Sequence, residues 1–167
     1  TQYSVTFAQT GLDSSATGTV VTVNGSGKTF GNLPYTMWVD SSGSVSYSYT
    51  SIVPSTTTGK RFKLINVAGL ASPITVTGSV PVTGNYKTQY RLDVSTNPSG
   101  LSPQPTRNPP GEPGSWWYDI STDVVLTAQS VTNYTFLYWY VDGASQGSGV
   151  NPVTVRTNAP HTAAAYY

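Results

Sequence analysis

The chain has no cysteine, one methionine and one histidine in 167 residues, and only 9% of its residues are charged. Without cysteine there is no disulfide, no thiol nucleophile and no sulfur-ligated metal site. A typical globular chain carries about 25% charged residues, so ion-pair networks and charge-steered partners are scarce here. The net charge is +1. Its cations are scattered except at Lys60-Arg61-Phe62-Lys63, which reads as a solvated strand start, so no basic footprint for nucleic acid is present. No run approaches the ~20 apolar residues that cross a bilayer, and no charged-then-apolar leader is seen, so no membrane insertion is expected and the chain reads as a mature or excised segment.

Also missing is any 3.6-residue apolar stripe with helix caps. Apolar residues instead alternate with polar ones, at Tyr3/Val5/Phe7 and Tyr90/Leu92/Val94 and along Thr19–Val23, Val45–Tyr49, Phe62–Val67, Ile74–Thr77, Val124–Ala128, Thr135–Val141 and Val153–Arg156. Asn24-Gly25 follows one such run and marks a tight hairpin, because both residues accept positive φ. Short strands punctuated by Gly, Pro, Asn and Ser predict an all-β chain of sandwich domains. The stretch Asn97–Gly114 holds half of the prolines. Proline cannot donate to a sheet ladder, so an extended surface loop is expected there, leaving the second half short of strand pairing at one edge.

The chain repeats itself. Thr1-Gln2-Tyr3 returns as Thr88-Gln89-Tyr90, and Trp38-Val-Asp-Ser-Ser returns as Trp117-Tyr-Asp-Ile-Ser. Arg61–Gly69 matches Thr135–Gly143 through Phe and Val-x-Gly, and Pro73–Pro81 matches Pro152–Pro160. Four blocks in one order predict two copies of one unit, residues 1–87 and 88–167, related as tandem Ig-like β-sandwiches.

Catalytic chemistry finds little footing. His161 stands alone in the terminal strand region, with no serine or cysteine frame around it. Asp119 and Asp123 are close, but their counterparts are Asp40 and Ser44, so a turn-capping role accounts for the recurring aspartate and leaves a two-carboxylate glycosidase as an outlying alternative. The aspartates match no calcium-loop spacing. No catalytic, cofactor or metal residue is therefore assigned. The aromatic residues are more telling. Trp116-Trp117-Tyr118 and Tyr134–Val141 place rings on both faces of a strand, which calls for a partner over the second face: the other domain, another copy of the chain, or a sugar. Asn24-Gly-Ser and Asn133-Tyr-Thr fit the N-glycosylation acceptor pattern, whereas Asn97-Pro-Ser is excluded by its proline.

The pattern Tyr90-Arg-Leu-Asp-Val-Ser-Thr-Asn-Pro-Ser-Gly, Trp117-Tyr-Asp, Val124-Val-Leu-Thr-Ala, Trp139-Tyr-Val-Asp-Gly143 and Asn151-Pro-Val-Thr-Val155 resembles the divergent internalin-B-type repeats found in tandem on bacterial and archaeal cell-surface proteins. The first half, with Leu33–Tyr49 and Ser72–Tyr90, resembles the variant common in large archaeal surface proteins. The resemblance covers nearly the whole chain and implies an extracellular, non-enzymatic role in a filament, stalk or sheath, with copies of the same chain as partners. Head-to-tail assembly is expected to use the first strand (Tyr3, Val5, Phe7) and an aromatic surface of Trp116, Tyr138, Tyr140, Tyr166 and Tyr167. A glycan-binding or adhesive module of a larger secreted protein is the competing expectation.

Overall fold

A computed structural model describes residues 1–113 and 115–167. The chain is all-β, with several sheets and no α-helix among the described residues. Among the described residues no helix is long and apolar enough to cross a membrane. It divides into two compact units, Thr1–Thr88 and Gln89–Tyr167.

In the first unit the strands are β1 (Gln2–Thr10), β2 (Val21–Val23), β3 (Ser26–Lys28), β4 (Tyr35–Asp40), β5 (Ser44–Val45), β6 (Tyr47–Tyr49), β7 (Ile52–Pro54), β8 (Lys60–Ala68), β9 (Ile74–Thr75) and the first part of β10 (Val80–Asn97). The larger sheet runs β7-β8-β10-β1-β4, while β3-β2-β6 and β5-β9 form two smaller ones. Val5, Phe7 and Val82 from the larger sheet meet Val21, Val23 and Tyr49 from a smaller one in a single core, as in a β-sandwich. The alternation that places them there is legible in the sequence. Asn24 and Gly25 turn the β2–β3 hairpin with φ of 45° and 80°, as the mirror-image turn requires. The run Val45–Tyr49 is not one strand. It breaks at Ser46, whose backbone N–H donates to Asn24 Oδ1 at 2.9 Å, and its two ends join different sheets.

The second unit takes the rest of β10 and adds β11 (Thr106–Asn108), β12 (Trp117–Asp119), β13 (Asp123–Thr127), β14 (Tyr138–Val141), β15 (Ala144–Ser148), β16 (Val153–Arg156) and β17 (His161–Tyr166). Its larger sheet runs β15-β14-β17-β10-β12 and its smaller one β11-β13-β16. Leu92, Val94, Val124, Leu126 and Trp139 form its core. The proline-rich stretch is not wholly a loop, because it supplies β11, the edge strand of the smaller sheet. Thr106, Arg107 and Asn108 lie between Pro105 and Pro109, keep their own N–H groups, and pair with Thr127, Leu126 and Val125. Gly114, the last residue of that stretch, lies outside the described residues. Strand β14 starts only at Tyr138, so the run read from Thr135 is shorter than expected.

The registers of the two units agree along two ladders. Gln2, Tyr3 and Ser4 face Asp40, Val39 and Trp38, and Gln89, Tyr90 and Arg91 face Asp119, Tyr118 and Trp117. Val5–Thr10 run parallel to Val80–Asn85, and Leu92–Asn97 run parallel to His161–Tyr166. The last sequence block is offset from its residue-by-residue match. Val45 faces Ile74, but Val124 faces Val155 rather than Val153, and His161 stands at the level of Val80 rather than Val82.

Candidate functional site

The residues expected to form an assembly surface separate into two groups. Val5 and Phe7 are fully buried and Tyr3 packs on the same core, because β1 pairs with β4 on one side and β10 on the other. With both edges paired and its apolar face in the core, β1 has nothing to offer a neighbour, and the expected free first strand is corrected on that ground. Tyr167 likewise turns inward. Its hydroxyl donates to the Gln129 carbonyl at 2.7 Å, and its ring meets Phe136 edge-on at 5.8 Å. Trp116 is half-buried against the second core and carries the Arg107 guanidinium over its ring at 4.0 Å.

The remaining residues do form a surface. Along β14 the side chains alternate, so Trp139 is fully buried while Tyr138 and Tyr140 take the opposite face. Strand pairing sets Tyr166 opposite Tyr138. The Tyr138 and Tyr166 rings stack at 4.9 Å and 13°, and Tyr140 meets Tyr166 at 5.8 Å and 61°. Offset and edge-to-face pairs of this kind hold their rings in place beyond simple burial. Beside them a cleft of about 370 Å³ is lined by Arg91, Asp93, Trp116, Tyr140 and Thr162, among others, with Arg91 Nε donating to Asp93 Oδ1 at 2.6 Å. A fixed aromatic face next to a charged and hydroxylated cleft can stack on a flat apolar ring face and bind its hydroxyl groups.

A second hollow, of about 550 Å³, lies under the proline-rich loop between Pro105 and Trp116. At its edge, the hydroxyl of Tyr118 and Arg107 Nη1 are buried without a hydrogen-bond partner of good geometry. Burial raises the Tyr118 pKa and the nearby Arg107 guanidinium pulls it back. Fully buried Gln89 donates through Nε2 to both Glu112 Oε1 and Asp119 Oδ1, at 2.7 and 2.8 Å. The Asp119 side chain is thus tied to Gln89. The turn that follows is closed instead by its carbonyl, which accepts from the Thr122 hydroxyl at 2.8 Å.

His161 has both ring nitrogens engaged: Nδ1 with Asp142 Oδ2 at 2.6 Å and Nε2 with Asn158 Oδ1 at 3.1 Å. Among the described residues no group of three or more potential metal ligands gathers. Asn24 and Asn133 both sit exposed in turns with positive φ, 45° and 66°, and Asn24 Oδ1 is held by Ser46.

Two structural tyrosines give no sign of their roles in the sequence. The Tyr49 hydroxyl lies 2.7 Å from the Ala8 carbonyl and 3.1 Å from the Val82 carbonyl. The Tyr86 hydroxyl donates to the Thr50 carbonyl at 2.9 Å. Tyr49 ends the run Val45–Tyr49, but alternation gives only its face and not the carbonyls that its hydroxyl meets.

The chain matches no protein-family model, no curated protein and no solved structure.

Proposed function

We propose that this chain is a non-enzymatic structural module of the cell surface. It comprises two tandem Ig-like β-sandwich units built from one internal repeat, serving in an extracellular filament, stalk or sheath with copies of itself as partners. The carrying observation is that β10 belongs to both units, ending one ladder at Asn85 and beginning the next at Gln89. A chain whose units share a strand has the connectivity of a quasi-one-dimensional array. The repeat reading is further supported by the matched registers and by a matched bond: Tyr86 donates to the carbonyl of Thr50 and Tyr167 to that of Gln129. With β1 committed to its own core, the favoured array is a succession of units along the chain rather than insertion of a free strand. Electron microscopy of native surface material labelled with an antibody to this chain is expected to show threads with a regular axial repeat. Label confined to dispersed monomers would refute it.

A second reading, a glycan-binding or adhesive module, is favoured by the Tyr138/Tyr140/Tyr166 face and its adjoining cleft. Tryptophan fluorescence, reporting through Trp116, should shift on titration with extracellular polysaccharides, and Tyr140→Ala should abolish the shift. Silence across a polysaccharide panel would eliminate this reading and leave the first intact.

A further inference from the structure

We propose that each unit is a mechanical clamp, built to hold when the chain is pulled by its two ends. In the first unit the opening strand β1 and the closing stretch of β10 are immediate neighbours and run parallel, from Val5 beside Val80 to Thr10 beside Asn85. In the second unit the opening stretch of β10 and the closing strand β17 do the same, from Leu92 beside His161 to Asn97 beside Tyr166. Force on the two ends of a unit drags its first strand backwards and its last strand forwards. Because these strands are parallel neighbours, the load runs along the ladder and shears it. The evenly spaced rungs of a parallel pair then share the load and must fail together. Antiparallel terminal strands would bring both ends to one side and peel apart one rung at a time.

The ladders are also anchored laterally. Val5, Phe7 and Val82 in one, and Leu92, Ala163 and Ala165 in the other, are buried in their cores, so sliding the strands drags apolar side chains out of register. In the first unit the Tyr49 hydroxyl reaches the carbonyls of Ala8 and Val82, one on each strand of the loaded pair. The ring that delivers it lies against Gly84, where a Cβ would fall 2.4 Å from the ring. The source of tension rests on the surface-array reading, but the resistance itself belongs to each unit alone.

The chain has no cysteine, so single introduced thiols give unique handles for force spectroscopy. Pulled by its two termini, the parent should give two high-force events, each lengthening the chain by roughly 220–290 Å, the extended length of its residues less the folded span. In Ser14→Cys, pulled at residue 14 and the C-terminus, force enters the first ladder at its Thr10/Asn85 end and peels it. One event should fall to a clearly lower force while the other stays unchanged. Ser99→Cys, pulled at residue 99 and the C-terminus, should likewise peel the second unit. Ser14 and Ser99 are exposed, and melting curves matching the parent confirm that each variant is folded. Equal rupture forces in both geometries would overturn the clamp without touching the array reading, which the micrographs test.

Discussion

Replacing Tyr49 with Phe should destabilise the first unit at neutral pH, and that deficit should vanish in alkali. The ring stays and only the hydroxyl is lost, so the core volume is preserved. What disappears is a buried hydrogen bond to the Ala8 and Val82 carbonyls, worth about 1–1.5 kcal/mol net. The same hydroxyl titrates. Burial pushes its pKa from 10.0 up to about 12, with hydrogen bonding at Gly84 and Ala8 offsetting only part of the rise. A raised tyrosine pKa means that the unfolded chain ionises first, so the stabilisation is complete below pH 10 and is lost as pH climbs towards 12. At pH 11 the unfolded phenol is about ten-elevenths ionised, which costs the parent about 1.4 kcal/mol that the phenylalanine variant never loses.

The gap between parent and variant should therefore close between pH 9 and pH 11. Urea titrations followed through amide NMR signals of Val5, Phe7 and Val82 read the first unit separately from the second. A gap that stays constant across that range would show that Tyr49 ionises at the same pH folded and unfolded, and the burial argument would fail. A gap near zero already at pH 7 would remove the hydrogen bond from the account.

Four further outcomes can be checked, three of them with the same urea titration. Gly11 combines a φ of +82° with a Cβ position only 1.9 Å from the Tyr86 carbonyl oxygen, so Gly11→Ala should cost the first unit about 3 kcal/mol through strain and overpacking. Trp139→Ala removes the largest fully buried side chain and should cost the second unit about 3–5 kcal/mol, leaving the transition of the first in place. Arg107→Pro deletes a backbone donor from β11 and should raise hydrogen exchange at the Thr106–Asn108 edge, whereas a free loop would show no change. Hydrogen bonds from Lys60 and Ser15 hold Asp13 at about pKa 2, below its ordinary 3.8. That contribution is present above pH 4 and fades as pH falls to 2, and exposure of the carboxylate limits it to about 1 kcal/mol or less. Lys60→Met should weaken this acid dependence, with the Ser15 bonds to Asp13 retaining the remainder.

The sequence made period-two strands and the order of its four blocks plain, because alternation is a local property that each side chain obeys according to which face of the sheet it occupies. Tyr3, Val5 and Phe7 read correctly as one face of a strand, but alternation does not say whether that strand is an edge or lies between two others. The prolines around Thr106–Asn108 hid a three-residue strand that needs only its own free N–H groups and a partner. Val45–Tyr49 read as one strand because its pattern continues through Ser46, and only the bond from the Ser46 N–H to Asn24 Oδ1, twenty-two residues away, reveals the break. The aromatic face was half legible. Rings on both sides of Tyr138–Val141 demanded two burial solutions, but the second was supplied by Tyr166 from β17, a pairing that no local pattern encodes.

On the repeat reading, the two units also fill one position of their cores in opposite ways. Counting along matched strands, Tyr49 corresponds to Ala128 and Gly84 to Ala165, since Gln9 faces Gly84 and Thr96 faces Ala165. In the first unit the large residue lies on the smaller sheet and the ladder opposite has given up its Cβ to admit it. In the second unit both positions are alanine, and the bulk arrives from β14. Trp139 pairs with Ala165, and its indole N–H donates to Asn151 Oδ1 at 3.3 Å, the side chain that also binds the backbone of Ala128. Close packing requires the volume to be filled but not from a fixed side, so two copies can diverge in their core residues while their ladders keep one register. The ladders are what the proposed load would test. They show the closest agreement between the two units, while the side chains that brace them have been exchanged.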